Sequence, residues 1–208
     1  MIATDALAHL VRTDVLKYPD RHEWSLQGFG MLRTYLGPDL RLHIWDPDFR
    51  VEAVSDIHDH PWHFESIVLS GWIENRRYCI KEGSPFTSHN QGRIICGPNP
   101  AERGPKDVKP VLLHQWCEGV FRPGDVYRMQ ADELHASFPS PGAVTLVQRA
   151  KANKDPELAF VYWPIGSEWV GAEPRPATRD EVRRITQRAL DCWSGREKAS
   201  GPATEEKV

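Results

Sequence analysis

Residues 55–71, with the sequence SDIHDHPWHFESIVLSG, place two histidines, His58 and His60, on either side of a single aspartate. In an extended strand, side chains two positions apart point to the same side. The two imidazoles therefore face one direction, which two ligands of one metal ion require. Glu65 follows a proline-containing bend, and we expect its carboxylate to project toward the same point. Gly71 predicts a turn at the end of the segment.

A second informative segment covers residues 123–135, PGDVYRMQADELH. The P-G-D turn predicts the start of a strand, and His135 follows a further short turn. Tyr127 and Arg128 are adjacent on this strand and face opposite sides, so we expect one of them to line a pocket and orient a substrate. Arg128 would hold a substrate carboxylate through two hydrogen bonds; a surface position is the alternative.

Three other side chains are further candidates for contact with a substrate. His63 lies in the bend after the H-x-H pair, where it would carry a proton or, alternatively, lie on the rim of a pocket. Arg33 and Arg41 would bind a carboxylate in the same way as Arg128. The sequence alone does not choose among these arginines.

Short runs of β-branched and aromatic residues surround the two segments, and Gly, Pro and Asp separate the runs. The first runs begin near Phe29, and Leu40, Leu42 and Ile44 alternate with other residues. Many short strands with regular turns predict an all-β sandwich or barrel. Between residues 81 and 109, Gly, Pro, Ser and charged residues predict a long loop or a loop that carries a small hairpin.

The two ends of the chain differ from this β pattern. We predict an N-terminal helical segment over residues 1–28, a barrel over 29–170, a C-terminal helix over 171–194 and a disordered tail over 195–208. The sequence Thr178-Arg179-Asp180-Glu181 has the form of a capping box, which predicts the start of the C-terminal helix.

Composition excludes several function classes. The chain has 208 residues, a formal net charge of −3 and no apolar run near the length of a membrane span. We therefore expect no nucleic-acid partner and no membrane partner, because both normally require a basic or strongly apolar face. The N-terminus lacks the apolar run of a signal peptide, and the four cysteines lack C-x-x-C spacing. A cytoplasmic location is the expectation.

Together, the two segments resemble the paired motifs of the cupin superfamily: H-x-H followed by Glu and Gly, then P-G-D followed by His. The resemblance implies an all-β cupin fold, a double-stranded β-helix or jelly-roll barrel, here with an N-terminal and a C-terminal helix. It also implies that His58, His60 and His135 are the histidine ligands of a metal and that Glu65 is the acidic ligand. A homodimer is compatible with such barrels.

Two narrower resemblances concern activity. The segments IHDH, VLSGWIENRRY and GDVYRMQADELH are similar to thiol dioxygenases of the cysteine dioxygenase type, which use three histidines on iron. That family has no acidic ligand at the position of Glu65, and AVTLVQRAKA after His135 lacks its Ser-x-His-x-Tyr pattern. The chain also looks like uncharacterised cupin-domain proteins of bacteria and phages.

These residues predict a divalent metal in the barrel, foremost Fe(II), with Mn(II), Ni(II), Cu(II) and Zn(II) as alternatives, since ligand type alone does not choose. The leading hypothesis is an Fe(II) oxygenase or dioxygenase that acts on a small polar molecule. A non-redox, metal-dependent isomerase or hydrolase-like enzyme is the second hypothesis. The third is a metal- or ligand-binding module without catalysis.

Overall fold

The computed structural model describes residues 2–95, 104–151 and 158–195. Within these ranges, two antiparallel sheets of seven strands each form the body of the protein. In chain order the strands are β1 Ser25–Gln27, β2 Phe29–Tyr35, β3 Leu40–Arg50, β4 Ile57–His58, β5 Trp62–Ser70, β6 Ile73–Ile80, β7 His89–Ile95, β8 Lys106–Val111, β9 Leu113–Phe121, β10 Val126–Met129, β11 Leu134–Pro139, β12 Ala143–Lys151, β13 Leu158–Pro164 and β14 Arg175–Pro176.

The chain passes repeatedly between the two sheets. The first sheet has the strand order β10-β5-β12-β3-β2-β1-β14, and the second sheet has the order β8-β7-β13-β4-β11-β6-β9. From β9 onward, successive strands alternate between the sheets, so that non-consecutive strands become neighbours. This is the jelly-roll barrel that the sequence predicts.

The first sheet has two different faces because side chains alternate along each strand. Its outer face contributes Leu32, Leu42, Ile44 and Leu146 to an apolar core against the terminal helices. Its inner face contributes Met31, Trp45, Phe64 and Val68 to the interior of the barrel. The inner face therefore determines which side chains can reach a bound molecule.

The N-terminal segment is helical, as predicted. Helix α1 spans Ile2–Leu10 and is followed by a π-helical turn, Val11–Val15, and a 3-10 turn, Pro19–Arg21. β1 lies within the predicted N-terminal segment and β14 within the predicted C-terminal one, so the first sheet extends beyond residues 29–170.

Helix α2, Arg179–Trp193, begins with the predicted capping box. The Thr178 hydroxyl accepts a hydrogen bond from the Glu181 backbone N–H at 3.3 Å, and the Thr178 N–H donates to the Glu181 carboxylate at 2.8 Å. Residues 196–208, almost all of the predicted disordered tail, lie outside the described residues. In the part of the chain that the structure describes, no helix is both long and apolar enough to span a bilayer.

The region predicted as a loop with a small hairpin contains one. β7 and β8 pair in antiparallel fashion, and β7 also pairs with β13, so the hairpin extends the second sheet. Residues 96–103, between β7 and β8, lie outside the described residues.

The turn predicted at Gly71 connects β5 to β6 and requires glycine for two reasons. Its φ is 73°, which is in the left-handed region. A Cβ atom there would lie 2.6 Å from the Ser140 hydroxyl oxygen and 2.8 Å from the Ala143 Cα. The glycine therefore allows the close approach of two chain segments at one end of the barrel.

Candidate metal centre and its pocket

Three predicted ligands meet inside the barrel. His58 on β4 and His135 on β11 are directly opposite each other on paired antiparallel strands. His60 follows β4, and its carbonyl accepts a hydrogen bond from the Asp132 N–H at 3.3 Å. One ligand nitrogen from each histidine lies within 4.8 Å of the other two. This group of three can hold one metal ion.

Backbone carbonyl groups fix the orientation of two of these rings. The Nδ1 of His58 lies 2.7 Å from the Asp56 carbonyl oxygen, and the Nδ1 of His135 lies 3.0 Å from the Glu133 carbonyl oxygen. Because a carbonyl oxygen only accepts, each Nδ1 carries the proton and each Nε2 retains its lone pair. A hydrogen bond of this kind to the second ring nitrogen is typical of metal-binding histidines.

Burial keeps the three rings neutral. Loss of hydration lowers the pKa of His135 to about 3, and the neighbouring His58 lowers it further in the same direction. The pKa of His60 falls well below its ordinary value because of burial and then because of His58 and His135. Burial also lowers the pKa of His58. Neutral imidazoles are the form that binds a metal, so the donor set fits a divalent ion.

Aromatic rings cover two of the histidines. Phe29 stacks on His58 with ring centroids 5.3 Å apart, and Trp62 stacks on His60 at 4.2 Å. These contacts restrict the rotation of the imidazoles and shield them from bulk water.

Asp59, between the two histidines, was only a spacer in the sequence interpretation, and the structure gives it a role. Its carboxylate accepts a hydrogen bond from the Phe160 N–H at 2.7 Å, and its own N–H donates to the Phe160 carbonyl at 3.1 Å. These bonds fix the H-x-H segment to β13. Its place between two paired ligands gives the signal, because strand alternation separates its side chain from theirs and leaves it to bind a neighbouring strand.

Glu65 does not join the histidines, so the prediction that it is the acidic ligand is wrong. Its neighbours Phe64 and Ser66 are buried, whereas Glu65 lies on the exposed face of β5. There its carboxylate forms an ion pair with Arg128, with an Nε to oxygen distance of 2.5 Å. The bend at Pro61 therefore does not turn Glu65 toward the interior, because the later residues of β5 keep their ordinary alternation.

The pair Tyr127 and Arg128 divides between the two faces of β10, as expected. Tyr127 is 6% exposed, lines the cavity and packs against Phe121 with ring centroids 4.9 Å apart. Burial raises the pKa of its hydroxyl, which keeps the phenol neutral. Arg128 points outward, so the prediction that it clamps a substrate in the pocket is wrong.

His63 also lies outside the pocket lining. Its Nδ1 accepts a hydrogen bond from the Ala131 N–H at 3.0 Å, which ties β5 to the turn between β10 and β11. This is a structural role next to the metal centre. It corrects the prediction that His63 carries a proton for a substrate.

The histidines open into a cavity of about 740 Å³ inside the barrel. This volume suits a small molecule. The wall formed by the first sheet includes aromatic and aliphatic side chains and two arginines: Phe29, Met31, Arg33, Tyr35, Arg41, His43, Trp45, Trp62, Phe64, Tyr127 and Val147. Arg33 and Arg41, which the sequence named as further candidates, are therefore the arginines of the described residues that line the pocket.

Comparisons with known proteins leave the family open. No family model matches the chain, and no curated protein matches it. Among solved structures, it is similar to a cupin-like protein from Thermotoga maritima, with 14% identity over 79% of this chain and 85% of that chain. The TM-score of this match is 0.23. At that value it carries no argument, and the fold assignment rests on the strand pairing described above.

Proposed function

We propose that this protein is a metal-dependent cupin enzyme, an Fe(II) oxygenase that acts on a small polar molecule inside the barrel. The observation that carries the proposal is the cluster of His58, His60 and His135 in the wall of the cavity. No carboxylate of the described residues joins this group. Three protein ligands leave coordination positions free, which a catalytic metal site needs.

Bound Fe(II) would supply the redox chemistry that activates dioxygen, which protein side chains cannot supply. The chain contributes position and environment. The carbonyl groups of Asp56 and Glu133 orient two ligand rings. Phe29 and Trp62 would limit the access of water to the histidines, and the buried Tyr127 ring forms part of the cavity wall.

Oxygen consumption tests the proposal. Metal-free protein is reconstituted with Fe(II) without air, then oxygen uptake is followed with a panel of small thiols and catechols. We expect substrate-dependent uptake in the wild type, none in His135→Ala, and wild-type uptake in His114→Ala, since His114 is exposed on β9.

Two results would contradict the oxygenase proposal. Turnover with zinc or manganese in the absence of oxygen would favour Lewis-acid catalysis, as in an isomerase or hydrolase. Tight zinc in the purified protein, with no uptake and only a ligand-dependent rise in melting temperature, would favour a binding module.

A further inference from the structure

Two guanidinium groups enter the barrel from neighbouring strands. Arg33 on β2 is directly opposite His43 on β3, and Tyr35 is directly opposite Arg41. All four side chains line the cavity, and Arg41 is only 8% exposed. A charged side chain is rarely buried to this degree unless it has a partner.

Several nitrogen atoms of this group have no hydrogen-bond partner among the residues that the structure describes. The Nε atoms of Arg33 and Arg41 and the Nε2 of His43 are buried without a hydrogen bond. Each buried donor or acceptor left unsatisfied costs roughly 1–3 kcal/mol, and more when it is charged. Three such atoms side by side in one cavity wall indicate a site that a polar ligand completes.

Within the described part of the chain, the electric charge of the group has no carboxylate partner. The groups whose charges act on Arg33 are Tyr35 and Arg149, and those that act on Arg41 are Tyr35, Arg33 and Arg149; Arg41 also forms a hydrogen bond with the Tyr35 side chain. Burial lowers the pKa of both, that of Arg41 to about 10, which leaves Arg41 protonated at neutral pH. Arg149 at the edge of the group differs, because it contacts Asp39 at 3.2 Å.

Two of the three described carboxylates that line the cavity have other partners. Asp56 pairs with Arg50 at 2.5 Å, and Asp59 accepts the hydrogen bond from Phe160 described above. Glu173 also lines the cavity, but it is not among the charges that act on Arg33 or Arg41. The charge of the two arginines therefore remains available to a ligand.

Aromatic rings hold the guanidinium groups in place. Arg41 lies 5.0 Å from the ring centroids of both Tyr35 and Trp62, and Arg33 lies 5.4 Å from that of Tyr35. The same Trp62 stacks on the metal-ligand candidate His60. The arginines are thus oriented before a ligand binds, and Arg41 and His60 lie against the same Trp62 ring.

We propose that Arg33, Arg41 and His43 form an oxyanion subsite, so that the substrate is a small molecule with a carboxylate or phosphate group in addition to its metal-binding end. A guanidinium fork matches either group through two parallel hydrogen bonds. The inference that the bound anion is a substrate rests on the proposed function. The anion subsite itself does not require a metal.

Calorimetric titration tests the subsite. Succinate and inorganic phosphate are titrated into the full-length protein, both metal-loaded and after removal of metal, with the neutral diamide of succinate as the matched control. We expect saturable binding of at least one anion, no binding of the diamide, and at least tenfold weaker binding in Arg33→Gln and Arg41→Gln. The comparison of the two anions shows whether the subsite takes a carboxylate or a phosphate.

Arg128→Gln provides the control for the loss of one positive charge, since Arg128 lies on the outer face. It should bind the anion as the wild type does. Arg41→Lys, which keeps the charge but loses the fork, should bind with intermediate affinity, and its circular dichroism shows whether the barrel is intact.

Three outcomes would overturn the inference: no anion saturates the wild type, the diamide binds as well as succinate, or Arg128→Gln weakens binding as much as Arg41→Gln. Failure of the proposed metal site gives a different result from failure of the anion subsite. In that case metal titration shows no binding, while the metal-free protein still binds the anion and Arg41→Gln still weakens it.

Discussion

Arg41 and Arg128 belong to the same sheet but lie in opposite environments. Arg41 points into the barrel, is 8% exposed and contacts two aromatic rings. Arg128 points outward, with 74% of its side chain exposed, and pairs with Glu65. An exposed ion pair contributes about 0–1 kcal/mol, because water screens both charges. A buried charge is costly unless a ligand compensates it.

The comparison shows that the face of a strand, and not the residue type, decides the role of a charged side chain here. The interior residues would act on a ligand, and the exterior pair would contribute little. Substitutions in the two environments should therefore differ in their effects on metal binding and stability.

The largest effect concerns the interior histidines. Replacing His58 or His135 by Ala removes one of three ligands, so we expect metal affinity to fall by more than about 100-fold. Metal titration followed by elemental analysis measures the loss. The exterior histidine variant His114→Ala should keep wild-type affinity, and a similar loss in that variant would contradict the interior assignment.

The next effect is a difference in stability between variants of two adjacent residues of β10. Tyr127→Ala removes a buried aromatic ring that packs against Phe121, and we expect it to lower the free energy of unfolding by about 3 kcal/mol or more. Arg128→Ala should lower it by less than about 1 kcal/mol. Urea unfolding of both variants measures the difference. Equal costs would show that the two faces of β10 are not as distinct as described.

A smaller effect concerns the exterior ion pair at the start of helix α2. Glu181 pairs with Arg175 and also caps helix α2, and these contacts lower the pKa of Glu181 to about 2. A carboxyl group with a lowered pKa stabilises the fold above its unfolded pKa near 4.5, and this contribution is lost as the pH falls toward 2. We expect Glu181→Gln to cost about 1 kcal/mol at pH 7.

Urea unfolding of wild type and Glu181→Gln across pH 2–7 checks this dependence. The difference between the two proteins should shrink below pH 4.5 and vanish near pH 2. A constant difference over this range would show that the carboxylate charge is not what stabilises the helix.

The smallest effect is at Glu65. Since Glu65 lies on the outer face with Arg128, we expect Glu65→Gln to change metal affinity by less than twofold and stability by less than about 1 kcal/mol. Metal titration and urea unfolding of the one variant measure both. A large loss of metal affinity would restore Glu65 as a ligand.

Much of the fold is predictable from the sequence because it depends on local patterns. The alternation in residues 40–45 predicts a strand with two faces, and residues 178–181 predict the start of α2 through their capping box. The H-x-H spacing predicts that His58 and His60 belong together, which the structure confirms. In each case, residues close in the sequence carry the signal.

The errors concern which way a strand faces and which distant strands are neighbours. The bend after Pro61 and the resemblance both place Glu65 inside, but its neighbours Phe64 and Ser66 take the buried face and leave Glu65 on the exposed one. Arg33 and Arg41 were named as candidates, but their contact with one cavity depends on the pairing of β2 with β3. That pairing brings Arg33 opposite His43, which no short segment of sequence reveals.

The most direct test of the central claim is a crystal structure of the metal-loaded protein, with anomalous scattering used to locate the metal. The account predicts one anomalous peak about 2.0–2.2 Å from a nitrogen atom of each of His58, His60 and His135, with Glu65 still paired with Arg128 outside the barrel. A peak away from these three histidines would contradict it. A Glu65 carboxylate oxygen at bonding distance from the peak would contradict it as well.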